Sequence, residues 1–107
     1  MYKRQWFPCA VAGGDAHAGR TETSLMLHVE PGGVREELAA PGETTPVARL
    51  LPRLRAEGVR GVSPDGVLGD PTGASADEGR AQLEGLADRL VAAAGEWTVD
   101  GAGRLRG

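Results

Sequence analysis

The sequence has 107 residues, 40% of them hydrophobic, with 12 Lys and Arg against 15 Asp and Glu and a formal net charge of −3. That length allows one small domain and excludes a two-domain enzyme, while the negative balance excludes nucleic-acid binding by bulk electrostatics. No stretch approaches the roughly 18 continuous apolar residues of a membrane span and the first residues do not read as a signal peptide, so no membrane partner is expected and the expected location is cytoplasmic. Cys9 is the only cysteine, which excludes an intrachain disulfide and a Cys-rich zinc module. With Tyr2, Trp6, Phe7 and Trp97 as the only aromatic residues, Leu, Val and Ala must build the core.

Arg outnumbers Lys 11 to 1, and Ile and Asn are absent, the bias of a GC-rich gene. Residues 1–5 depart from it, holding the only Lys and the only Tyr. Their reverse translation can match the end of a transposase adapter used in sequencing libraries. They are expected to be a non-native artefact, with the natural chain continuing upstream of Trp6.

Residues 6–12 form a short apolar run ended by Gly13-Gly14, which reads as a buried strand with Pro8 at its start or edge. Residues 15–20 read as a loop, after which Thr21 caps a helix over 22–30 that Pro31 stops, with Leu25, Met26 and Val29 on its apolar side. Thr45-Pro46 supplies a cap and first-turn proline for a helix carrying Val47, Leu50, Leu51 and Leu54 on one face. Pro52 is expected to kink or split that helix, which should end near Gly58 before a short strand over 59–62. The turn-rich segment 63–73 leads to a capping box, Ser75 with Glu78, and a long helix to Gly95 striped by Leu83, Leu86, Ala87, Leu90, Val91 and Ala94. Residues 98–107 read as a flexible tail. Strands alternating with helices predict an α/β architecture with a mostly parallel sheet, and two strands are too few to stand alone.

Asp15, His17 and Glu22 place two carboxylates and an imidazole within eight residues of a loop that opens a helix. These are ligand types for a divalent metal; the first helical turn favours an anionic Glu22, and a histidine can move protons near neutral pH. On spacing alone a blander reading also stands: Asp15 and His17 decorate a solvated loop while Glu22 caps its own helix. His28 reads as structural and Cys9 as a small buried hydrophobe. The Gly-rich stretch 61–73 lacks the Lys and Ser or Thr of a phosphate-binding loop.

The run Gly14-Asp15-Ala16-His17-Ala18-Gly19-Arg20-Thr21-Glu22-Thr23-Ser24 resembles the His-Ala-Gly…Glu-Thr-Ser motif of the creatininase family. The segment from Val59 to Ser75 is similar to the C-terminal signature of one branch, the peptidases of mycofactocin maturation; together the two stretches place residues 6–97 in the C-terminal half of such a domain. The resemblance implies an α/β/α sandwich and metal-dependent hydrolysis of an amide or peptide bond, in this branch removal of a C-terminal dipeptide from the modified mycofactocin precursor peptide. By position it implies His17 as the catalytic histidine that assists proton transfer, Glu22 as the glutamate at the metal site and Asp15 as a substrate-binding carboxylate. The divalent metal would be Zn, Fe or Mn, held mostly by Glu-x-His-Gly and Asn-Gly-His-Gly-Gly-Asn motifs that do not occur here and belong upstream of Trp6. A homo-oligomer is implied, and the 107-residue chain alone is expected to be inactive. Two alternatives remain: a creatinine or formamide hydrolase of the same family, and a non-catalytic binding or assembly module.

Overall fold

A computed structural model describes residues 11, 13–97 and 100–102. Most of the expected strand over 6–12, Cys9 included, lies outside the described residues, as do residues 1–5 and most of the expected tail. Three helices carry the fold: α1 (Arg20–Val29), α2 (Val47–Val62) and α3 (Ala76–Glu96). Single 3-10 turns at Pro31–Gly33, Glu36–Leu38 and Pro71–Gly73 punctuate the connections.

α1 and α3 form the main helix pair. Their contact is set by a small residue: Gly79, buried in α3, lies against the Ser24 carbonyl of α1, where a Cβ would overlap the oxygen. The buried residues of α1 are Ser24 and Leu27, so its inward face differs from the one expected from Leu25 and Val29; Val29 is 63% exposed. The same shift occurs on α3, which buries Gly79 and Ala93 and leaves Leu83, Leu90 and Val91 exposed. Close backbone approach selects the small-residue face, and the leucine stripe has no cover among the described residues.

α2 begins with Pro46 as its N-cap, without a side-chain cap. Thr45 does not cap it, because its hydroxyl donates to Glu43 at 2.6 Å. The helix runs through Pro52, and the break comes instead at Gly58, whose φ of 75° and ψ of 176° only glycine adopts at little cost. The expected strand over 59–62 is therefore a correction. Helix resumes after the kink: the Ser63 N–H donates to the Val59 carbonyl at 2.8 Å, and Arg53, paired with Glu57 before the kink, reaches over it to the Gly61 carbonyl. Leu50, Val62 and Leu68 form a small core with Leu54 packed against it.

Among the described residues no extended strand forms; the extended pairing is one antiparallel bridge between His17 and Leu68. The Ala16 and His17 N–H groups donate to the Leu68 carbonyl, the Leu68 N–H returns to His17, and Gly42 and Glu43 donate to the Gly69 and Val67 carbonyls on the same segment. These links hold the loop ahead of α1 against the turn-rich segment that precedes α3.

Candidate active site

The three side chains expected to carry chemistry occupy one loop and the first turn of α1, but they play unlike structural parts. α1 starts at Arg20, with Gly19 as N-cap and no local side-chain cap. Its free N–H groups are instead capped from a distance by Asp15: Oδ2 accepts from Arg20 N at 2.7 Å and Oδ1 from Thr21 N at 3.1 Å. Oδ2 also accepts from Asp70 N at 3.3 Å, and the Asp15 N–H donates to the Thr21 hydroxyl at 3.2 Å. Thr21, expected to cap the helix, thus serves as the partner of Asp15. Gly19 and Gly69 flank the carboxylate so closely that a Cβ on either would overlap it. Partial burial pushes the Asp15 carboxyl up, but the donors from Thr21, Arg20 and Asp70 outweigh it and hold the group below the ordinary range.

His17 and Glu22 meet on the exposed side of this loop. The His17 Nδ1 lies 3.5 Å from Glu22 Oε2, with the two side chains 57% and 52% exposed. The same Glu22 oxygen accepts the Ala18 N–H at 2.6 Å, so Glu22 closes the turn in which Ala18 takes a left-handed φ of 51°. A left-handed alanine is uncommon, and such residues concentrate at functional loops. Glu22 thus binds its own loop's backbone and also faces the imidazole.

Behind this pair lies a network that sequence reasoning missed. Ser24, fully buried, donates to Glu78 Oε2 at 3.1 Å and accepts the Ser75 N–H at 3.1 Å. The Arg20 Nε donates to the same Glu78 oxygen at 2.8 Å. The Arg20 guanidinium holds the Glu78 carboxyl below its usual range against the upward push of burial. Ser75 caps α3 through Glu78 N at 3.1 Å, so half of the expected capping box is present while its other half is taken by Ser24. No local signal marks this link, because 54 residues separate Ser24 from Glu78.

A cleft of about 610 Å³ opens beside Asp15, bordered by Arg20, Asp70, Thr72, Glu78 and Gln82. His17 and Glu22 are not among its lining residues. Among the described residues no three His, Cys, Asp or Glu side chains converge to hold a metal ion. His17 and Glu22 supply two donors of the right kind for Zn, Fe or Mn, and a closed site needs ligands from beyond the described residues. His28 lies exposed in the last turn of α1.

Comparison with known proteins gives this loop its context. The family model for creatininase, described as creatinine amidohydrolase, matches residues 2–94. The chain belongs to the creatininase family. Creatininase-family members are metal-dependent amidohydrolases, as the resemblance of the His17 and Glu22 loop implied. The chain is 49% identical over 100 residues to the mycofactocin precursor peptide peptidase of Mycobacterium ulcerans (strain Agy99), covering 94% of this chain and 40% of the relative. It is 45% identical over 104 residues to the protein of the same name from Mycolicibacterium smegmatis (strain ATCC 700084 / mc(2)155). The chain thus spans about 40% of the length of these curated relatives. A crystal structure of a creatinine-amidohydrolase-type protein from Bacteroides fragilis NCTC 9343 superposes with a TM-score of 0.57 at 28% identity, covering 73% of this chain and 32% of that one. The creatininase-like fold is therefore shared, while the parallel sheet expected from the sequence has no counterpart among the described residues. No helix among them is long and apolar enough to cross a membrane.

Proposed function

We propose that this chain is the C-terminal part of a metal-dependent peptidase that removes a C-terminal dipeptide from the modified mycofactocin precursor peptide. The observation that carries this reading is the 49% identity to a mycofactocin precursor peptide peptidase across 94% of the chain, Asp15, His17 and Glu22 included in the matched stretch. In that reading the chemistry that a bound divalent metal, Zn, Fe or Mn, would supply is polarisation of the scissile carbonyl and activation of a water. Glu22 is the residue of this chain that meets the metal, its second task beside holding Ala18 N–H. His17, its Nδ1 facing the Glu22 carboxylate, takes up at Nε2 the proton that the attacking water loses and passes it to the leaving amine.

The remaining ligands come from the portion of the relatives' length that the chain does not span. The 107 residues alone therefore turn over nothing measurable. The complete protein works in the cytoplasm as a homo-oligomer. The test is a chimera in which residues 6–97 replace the matching stretch of the Mycolicibacterium smegmatis relative, assayed on precursor peptide, creatinine and formamide. Peptide cleavage alone is the expected result. Creatinine or formamide hydrolysis without peptide cleavage selects the second family activity, for which the creatinine-amidohydrolase-type fold neighbour speaks. No metal uptake and no turnover of any substrate selects a non-catalytic assembly module.

A further inference from the structure

We propose that Asp15 is a positioning residue, which holds the backbone of His17 in place and leaves substrate contact to others. The proposal rests on the peptidase reading for its catalytic consequence, but its structural half stands on this chain alone. A carboxylate offers about four lone-pair sites. Three are taken by backbone N–H groups that belong to two separate segments: Arg20 and Thr21 at the start of α1, and Asp70 in the turn ahead of α3. Between those anchor points sit the two residues of the bridge, His17 and Leu68, exchanging both backbone bonds at 3.2 and 2.8 Å. Asp15 thus joins the two sides of the bridge at one end, two residues from His17. The joint is tight, because the Cα atoms of Gly19 and Gly69 sit where any side chain would strike the carboxylate. Its Thr21 partner closes the loop from the other direction, through the Asp15 N–H. With three acceptor sites taken by backbone, Asp15 borders the cleft with little left to offer a substrate, whereas the His17 imidazole lies exposed beside Glu22.

Positioning and substrate contact differ in what their loss does. Displacement of a catalytic group by about 1 Å costs on the order of 100-fold in turnover. In the chimera, Asp15→Ala is expected to lower kcat about 100-fold with KM within about threefold. Asp15→Asn, which keeps one oxygen at the same reach, is expected to recover at least about tenfold of that loss. A rise in KM shared equally by the Ala and Asn variants, with kcat retained, would overturn the proposal in favour of substrate contact.

The second readout is amide hydrogen exchange on the 107-residue chain, which holds whether or not the chimera is a peptidase. In both variants the amides of Arg20, Thr21 and Asp70 are expected to lose protection together with those of His17 and Leu68, more in Ala than in Asn. Loss confined to Arg20 and Thr21, with His17 and Leu68 still protected, would show a helix cap without positioning and would overturn the proposal. Should Asp15→Ala fail to fold, the Asn variant alone decides between these outcomes.

Discussion

The Ser24 hydroxyl of α1 donates to the Glu78 carboxylate of α3 at 3.1 Å, and through that bond the loop carrying His17 is tied to the helix farthest from it in sequence. Ser24 has no exposed surface and serves both ends of the link, because it also accepts the Ser75 N–H. Ser24→Ala leaves that N–H without its partner, while Glu78 Oε2 keeps its bond from Arg20. A loss of about 1–3 kcal/mol is expected, the cost of orphaned buried polar groups, measured by urea unfolding. A change below about 0.5 kcal/mol would mean that water replaces the hydroxyl freely.

Two glycines of α3 should respond to the same substitution with opposite sign. Gly79→Ala drives a methyl into the Ser24 carbonyl, backbone against backbone, and is expected to cost at least about 1–3 kcal/mol. Gly85 faces open space within the same helix, so Gly85→Ala should stabilise by about 0.5–1 kcal/mol through helix propensity. Thermal unfolding of both variants checks the pair, and equal effects would refute the close crossing of α1 and α3.

Acid should loosen the molecule from the loop outward. Thr72 holds the Asp70 carboxyl below its usual range through its hydroxyl and N–H, Ser63 does so for Asp65 with help from Val67 N–H, and Arg20 does so for Glu78. At Asp15 burial works the other way but is outweighed by the Thr21, Arg20 and Asp70 donors. A carboxylate whose folded pKa is lowered adds stability that is complete above its unfolded pKa and is lost as pH falls through the folded one. The unfolding midpoint is therefore expected to be flat above about pH 5 and to fall below about pH 4. Asp15→Asn should make the acid limb shallower, and a midpoint unchanged down to pH 3 would contradict the network.

Glu22→Gln separates the two tasks assigned to Glu22. The amide oxygen can still accept the Ala18 N–H, so the loop should hold and the unfolding midpoint should move little. Metal affinity of the chimera should fall at least about tenfold, read by metal content after dialysis. Full metal retention would remove Glu22 from the metal site.

Much of the local structure was legible because it obeys local rules. Pro31 follows α1, Ser75 caps α3 through Glu78 N, and segment 63–73 holds left-handed glycines at Gly66 and Gly69. What was not legible depends on residues far apart. Asp15 caps α1 from five and six residues away, beyond the usual capping offsets, so Thr21 looked like the cap. Hydrophobic spacing chose the leucine stripe of α3, whereas burial follows Gly79, whose small size permits contact with α1. Val59 and Val62 suggested a short strand over 59–62, yet after Gly58 the chain enters a further helical turn. Of the site, the sequence showed that Asp15, His17 and Glu22 lie within one loop and helix start; the bonds among Arg20, Ser24 and Glu78 gave no signal because their partners lie in another element.

In the proposed peptide hydrolysis, His17 in the loop before α1 moves the proton. The most direct test of that role is mass spectrometry of precursor peptide incubated with the metal-loaded chimera and with its His17→Ala variant. The expected result is release of a C-terminal dipeptide by the chimera and a loss of about 100-fold or more in the variant, with metal content unchanged. Dipeptide release at an equal rate by both proteins would contradict it.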